Sequence, residues 1–335
     1  MTMPTVLGAL NEALHQALSR DERVIILGED VLDPYGGAFK VTKGLPTKFP
    51  SRVMTTPISE AGIVGVAAGM AMRGLMPIVE IMFGDFVTLI TDQLINHVAK
   101  FPWMYNEQVD VPIVIRTPMG GRRGYGPTHS QTLEKHFLGV PGLHVVTPTM
   151  FGNPGELLLH AIFEDKHPVL FIENKLLYPL QIQSADRLPD FDITVSEGDY
   201  PTYSLTIRYA PRLDLTLTAY GYMLEPALQA VLRLLYEFEI FTHLIIPTQL
   251  APFDSTILES SVAQSGRLLT VEEGTLTMGW GAEVIARAAE RLGPQLRSAR
   301  RVAALDLPIP ASFPLEEAVL PGIEEVVQTA RSMVC

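Results

Sequence analysis

Five short apolar runs, at residues 24–27, 77–81, 111–115, 144–146 and 169–172, alternate with helical patterns at 5–19, 59–73, 85–100 and 151–164. This alternation constrains the fold more than any other feature. Continuous apolar runs of strand length read as parallel strands buried on both faces. Strands that take turns with helices build a doubly wound α/β domain. A second series of runs, at 215–219, 243–246, 268–271 and 302–305, has helical patterns near 226–236 and 281–291. It predicts a second, smaller α/β domain. The polar stretch before it carries Asp190, Asp192, Glu197 and Asp199 and reads as a linker. The expected division is a domain over 1–180, a linker over 181–211 and a domain over 212–335.

Composition narrows the function classes. A chain of 335 residues, 47% hydrophobic, is long enough for two cores. Its 37 acidic side chains against 25 basic ones give a net charge of −12, which repels a phosphate backbone and argues against nucleic-acid binding. No run approaches the roughly 18 consecutive apolar residues that a membrane span needs. The start, Met-Thr-Met-Pro-Thr, shows neither a secretory nor a transit pattern, so the expected compartment is the cytoplasm. The lone cysteine, Cys335, rules out an intrachain disulfide and a thiolate metal cluster.

The residues suited to chemistry cluster after the predicted strands. Glu60 opens a helical run of very small residues (Gly62, Gly65, Ala67, Ala68, Gly69, Ala71), beside which a flat ligand or a backbone can approach closely. A carboxylate in such a place is costly to ionise and tends to take a partner or a raised pKa. The plainer reading is that Ser59 caps the helix and Glu60 complements its dipole. His129 stands in a glycine-rich loop that follows the strand ending at Ile115, the end at which α/β proteins place ligands. It can carry protons near neutral pH, or be a solvated loop residue. Phe86 could stack on a heterocycle or belong to the core. The turn Asp165-Lys166-His167-Pro168 could collect a cation or simply be a solvated turn. A phosphate-binding loop, a dinucleotide fingerprint and the Gly-Asp-Gly arrangement that holds magnesium and diphosphate in thiamine enzymes are all missing. A diphosphate cofactor would need another chain to hold its charged end.

Ordered landmarks carry a resemblance over nearly the whole chain. They are Leu27-Gly28-Glu29-Asp30-Val31, Gly36-Gly37, Val41-Thr42, the Glu60 segment and the run from Glu80 to Phe86. They continue with Asp92-Gln93, Asn96-His97, Val111-Pro112, Ile115-Arg116, His129-Ser130-Gln131 and Pro141-Gly142-Leu143. Ala219-Tyr220-Gly221, Gly266-Arg267-Leu268 and Gly279-Trp280-Gly281-Ala282-Glu283 complete them. Together they resemble the beta subunit of the thiamine-diphosphate-dependent decarboxylase component of 2-oxo acid dehydrogenase complexes, of the pyruvate and branched-chain type. The resemblance implies a transketolase-like pyrimidine-binding domain followed by a transketolase C-terminal domain.

It implies further that Glu60 hydrogen-bonds a ring nitrogen of the cofactor's aminopyrimidine, promoting the tautomer that takes a proton from the thiazolium carbon. Phe86 would pack on that ring, with Ile58 and Met82 as its other neighbours. His129 would orient or protonate intermediates during acyl transfer. A potassium ion would be held through carbonyl oxygens at Ile113, Ala161, Asp165 and His167, although His167 replaces an asparagine. The expected assembly is an α₂β₂ tetramer whose alpha subunit grips Mg²⁺ and diphosphate. The expected reaction is decarboxylation of a 2-oxo acid and acyl transfer to a lipoyl arm. Non-lipoyl acceptors (an aldehyde, a sugar or a carrier-protein thiol) and a purely structural subunit are the alternatives. Arg122-Arg123 could meet a carboxylate or phosphate of a substrate or partner, or pair with surface acids. Glu316, Glu317, Glu324 and Glu325 could dock a basic domain of an acyltransferase component, or form a solvated face.

Overall fold

The computed structural model describes residues 4–183 and 187–335, so Met1 to Met3 and positions 184–186 of the expected linker lie outside the described residues. The chain forms two compact units. The first comprises residues 1–120 and 136–182, and the second residues 121–135 and 183–335.

In the first unit, helix α1 (Val6–Arg20) starts at Thr5, whose hydroxyl accepts the Gly8 N–H at 3.1 Å. Such a side-chain cap satisfies one of the orphan donors of the first turn. Strand β1 (Val24–Gly28) is followed by helix α2 (Leu45–Lys48), strand β2 (Val53–Thr55), helix α3 (Glu60–Met72) and strand β3 (Met76–Glu80). After the short helix α4 (Phe101–Met104) come β4 (Val114–Met119), β5 (His144–Val146), helix α5 (Pro154–Phe163) and β6 (Val169–Asn174). The strands pair in the order β5-β6-β4-β3-β1-β2 and every pair is parallel. Ile26 lies opposite both Val53 and Ile78, and Val114 lies opposite both Ile78 and Val169. All residues of β3 and β4 are buried, as expected of central parallel strands. Helices α1 and α5 approach so closely that a side chain at Gly155 would meet the Ala9 carbonyl, which explains glycine at that position.

The second unit contains β7 (Phe191–Val195), β8 (Thr202–Ile207), β9 (Leu215–Ala219), α6 (Leu224–Phe238), β10 (Thr242–Pro247) and the short β11 (Gln249–Ala251). It continues with α7 (Thr256–Ser265), β12 (Arg267–Thr275), α8 (Trp280–Leu292), β13 (Ser298–Ala304), α9 (Phe313–Val319) and α10 (Ile323–Val334). Its six-stranded sheet has the order β13-β12-β9-β10-β8-β7, parallel at β9, β10, β12 and β13 and antiparallel at β7 and β8. Among the described residues, no helix is long and apolar enough to cross a membrane.

Three expectations change. The segment 181–211 is not simply a linker, because β7 and β8 pair within it and extend the second sheet. Their polar residues are the wet face of an edge hairpin, with Phe191, Leu205 and Ile207 turned inward. The segment 85–100 is not one α-helix. It divides into a 3₁₀ stretch at Gly84–Ile90 and a π stretch at Gln93–Val98. There the Thr91 hydroxyl donates to the Thr88 carbonyl at 3.0 Å, a bond that competes with helical pairing. The fourth strand begins at Val114 rather than Val111, since Pro112 has no N–H and the Ile113 N–H turns back to the Val111 carbonyl at 2.8 Å.

Candidate active site

The site is built at the carboxyl ends of the first unit's strands, where parallel α/β sheets bind ligands. Strand β1 delivers Glu29, the residue after Gly28. Strand β2 runs alongside, with Gly28 opposite Thr55 and the Thr56 N–H donating to the Gly28 carbonyl at 3.1 Å. That pairing brings the turn Thr56-Pro57-Ile58-Ser59 past Glu29, and α3 begins immediately with Glu60. The Ser59 side chain makes no capping hydrogen bond, so the plain capping reading of this turn is not what the structure shows.

Glu60 is 6% exposed and Glu29 7%. Burial pushes the Glu29 carboxyl above the usual carboxylate range, the neighbouring charges of Glu60 and Asp30 push the same way, and the Ser59 backbone N–H opposes them. Glu29 Oε1 is buried with no hydrogen-bond partner among the described residues. Two carboxyl groups have therefore been withdrawn from water side by side, one with an unused polar atom. Glu29, raised and with an oxygen unused, is able to share a proton with a nitrogen base brought beside it.

The aromatic part follows β3. Phe86 lies in the 3₁₀ stretch, its N–H donating to the Phe83 carbonyl at 3.0 Å and its ring edge-on to Phe83 at 5.9 Å. Phe86 and Met82 are half-buried, whereas Ile58 is 84% exposed. Phe83 also meets Phe39 at 5.6 Å, and Phe39 meets Tyr178 at 5.6 Å.

Beneath this edge lies a buried ionic network. Arg116 holds Glu173 through two bonds, at 2.7 and 2.8 Å, and reaches Glu80 at 3.0 Å. The Tyr178 hydroxyl donates to Glu173 at 2.6 Å. Burial works against the Arg116 charge, but Glu173 and Glu80 hold its pKa above the ordinary value. Burial raises Glu80 in spite of Arg116. Gly37, at φ +78°, is needed because a side chain there would strike the Glu80 carboxylate.

His129 belongs to the second unit, on the segment 121–135. It is half-buried, its N–H donates to the Gly126 carbonyl at 3.3 Å, and its Nδ1 lies 3.0 Å from the Thr128 hydroxyl. The segment is anchored by acids. The Gly121 N–H donates to Glu273 at 2.7 Å, and Glu316 accepts the Arg122 N–H at 2.7 Å and the Gly124 N–H at 3.2 Å. The Arg122 guanidinium lies 3.3 Å from Glu273 and donates to the Pro321 carbonyl at 2.6 Å. Arg122 is thus engaged within its own unit, and Arg123 lies over the Tyr125 ring at 5.9 Å. Glu316 is fully buried, which removes it from any docking surface, and Glu324 is paired with Arg233 at 2.7 Å.

Of the residues read as a cation site, Ile113 and Ala161 are buried, and the Ile113 carbonyl accepts the Val169 N–H at 2.9 Å. Asp165 and His167 do come together, with the His167 N–H donating to the Asp165 carboxylate at 2.9 Å. Sequence reasoning assigned no role to Glu29. The only available signal was an acid directly after a buried strand, next to Asp30.

Comparison with known proteins identifies a transketolase-type protein. The model described as "Transketolase, pyrimidine binding domain" matches residues 2–181, and "Transketolase, C-terminal domain" matches 207–326. The pyruvate dehydrogenase E1 component subunit beta-1, mitochondrial, of Oryza sativa subsp. japonica is 36% identical over 98% of this chain and 86% of that protein. The mitochondrial pyruvate dehydrogenase E1 subunit beta of Drosophila melanogaster is 37% identical over 97% and 87%. The acetoin:2,6-dichlorophenolindophenol oxidoreductase subunit beta of Cupriavidus necator is 33% identical over 96% and 95%. A solved structure, "Split gene transketolase, inactive beta4 tetramer", shares the fold with a TM-score of 0.75 at 21% identity, covering 99% of this chain and 98% of that one. The chain belongs to the family of beta subunits of thiamine-diphosphate-dependent 2-oxo acid dehydrogenases.

Proposed function

We propose that this chain provides the proton-handling half of a thiamine-diphosphate site whose Mg²⁺ and diphosphate are held by a separate alpha subunit in an α₂β₂ assembly. The observation that carries the reading is the buried Glu29–Glu60 pair with its unused carboxyl oxygen. These residues suit an aminopyrimidine: a carboxyl group shielded from water, an aromatic side chain at Phe86 and a neighbouring Met82. When bound, the cofactor supplies the electron sink for cleaving the carboxylate from a 2-oxo acid. Glu60 holds a proton at a ring nitrogen of the cofactor, Glu29 keeps the surroundings of Glu60 proton-rich, and Phe86 orients the ring. His129 serves the acyl-transfer half of the reaction, with a lipoyl arm as the acceptor.

A second reading keeps the cofactor and changes the substrate to acetoin or the acceptor to a non-lipoyl compound. The near full-length match to the acetoin oxidoreductase subunit favours it. Assays of the reconstituted alpha-beta pair with pyruvate, branched-chain 2-oxo acids and acetoin, each with a lipoylated domain or an artificial dye as acceptor, separate the two. In either case Glu60→Gln lowers kcat by about 10²–10⁴-fold, the range for losing a positioned acid-base group, and leaves the melting temperature within a few degrees. Turnover near the wild-type level in this variant would contradict the proposal.

A further inference from the structure

A second set of chemistry-bearing side chains collects at the end of the first sheet. His144 begins β5, Asp165 follows α5 and His167 precedes β6. The parallel pairing of β5 with β6, His144 opposite Val169, sets all three at one place. Asp165 Oδ2 lies 2.6 Å from His144 Nδ1, and Oδ1 lies 3.3 Å from His167 Nδ1. The imidazole rings stand 4.3 Å apart at 30°. One ligand atom from each of the three residues lies within 4.8 Å of the other two.

The potassium that the resemblance implies would be held by carbonyl oxygens of Ile113, Ala161, Asp165 and His167, whereas this cluster offers side-chain donors of another kind. Hard cations are held by oxygens, whereas two imidazoles with one carboxylate are borderline-soft donors suited to zinc and its first-row neighbours. We propose that the side chains of His144, Asp165 and His167 form a binding site for a zinc-type divalent cation. Tetrahedral zinc, with bonds of about 2.0–2.2 Å, sets neighbouring ligand atoms about 3.3 Å apart. The two contacts use different Asp165 oxygens, Oδ2 toward His144 and Oδ1 toward His167, and one ligand atom from each residue lies within 4.8 Å of the others, so side-chain rotations bring them to that spacing. The Asp165 side chain is 4% exposed and that of His144 18%, while that of His167 is 55% exposed, so the open side leaves a fourth position for water. His167 also lines a cavity of about 620 Å³ with Lys100, Trp103 and Glu107, which gives an ion a way in. The proposal stands apart from the thiamine reading, since none of its ligands is assigned a part in catalysis.

The test titrates the metal-stripped, full-length chain with Zn²⁺ by calorimetry and with Co²⁺ by visible absorption, in potassium-free buffer and again with excess K⁺. The expected result is one equivalent of Zn²⁺ per chain, a four-coordinate cobalt spectrum and an isotherm unchanged by K⁺. His167→Asn, at an exposed position that does not threaten folding, weakens binding by at least about tenfold, and His144→Gln with His167→Asn abolishes it. Absence of stoichiometric zinc binding, equal binding by wild type and the double variant, or displacement of zinc by K⁺ would each overturn the proposal. Any of these leaves a hydrogen-bonded His–Asp–His cluster and nothing more.

Discussion

Both units bury acidic side chains, but they settle the charge differently. In the second unit Glu273 and Glu316 are saturated from within, by the N–H groups of Gly121, Arg122 and Gly124 and by the Arg122 guanidinium. At the strand ends of the first unit, Glu29 and Glu60 are both buried, the charge of Glu60 acts on Glu29, and one Glu29 oxygen has no partner among the described residues. The first unit is able to neutralise acids internally, as Arg116 does for Glu80 and Glu173. The second unit has an unfinished pair of its own, since Glu134 Oε2 and Glu272 Oε2 are buried without a hydrogen-bond partner among the described residues. What sets Glu29 and Glu60 apart is their place at the carboxyl ends of parallel strands, where such sheets bind ligands.

Breaking the internal pairing of acids should cost stability, and the largest effect is expected at Arg116. Arg116→Met strands two buried carboxylates and should destabilise the protein by about 3–5 kcal/mol, measured by denaturant unfolding. A loss below about 1 kcal/mol would mean that the network is not the internally balanced one described. Glu316→Ala leaves the part-buried N–H groups of Arg122 and Gly124 without an acceptor and should cost about 0.5–1.5 kcal/mol. It should also speed amide hydrogen exchange at Gly121 to Gly126, while exchange in β3 stays as in wild type.

A further effect concerns pH. Burial, with the nearby charge of Glu134, raises Glu272 from 4.5 to about 8. The folded state then binds the extra proton, so this contribution to stability is complete below about pH 4.5 and is lost as pH rises through about 8. Glu272→Gln removes that loss. The gap between variant and wild type should widen by up to about 1.4 kcal/mol per pH unit across the window. His243 acts in the opposite sense. Burial lowers it from 6.5 to about 4, so the unfolded state binds its proton first and stability falls as pH drops through that interval. Thermal melts from pH 4 to 9 check both.

Much of the architecture is legible in the sequence, because central parallel strands are apolar on both faces. The run at 144–146 coincides with β5 and that at 215–219 with β9. What escaped was governed by contacts distant in sequence. The β7–β8 hairpin carries the polar residues of a loop, and it becomes part of the sheet by joining β10. Glu60 was readable because a helix of small residues follows it, whereas Glu29 owes its importance to β2 and α3 arriving beside it. The assignment of 121–135 to the second unit depends on Glu273 and Glu316, about 150 and 190 positions away, which no local pattern announces.

The proposed role of Glu60 is to govern a proton on the bound cofactor. Deuterium exchange of the thiazolium C2 proton, followed by NMR in the reconstituted alpha-beta complex, puts that role to the test. Glu60→Gln should slow the exchange by at least about 100-fold while cofactor affinity stays within about tenfold of wild type. Equal exchange rates in the two proteins would contradict it.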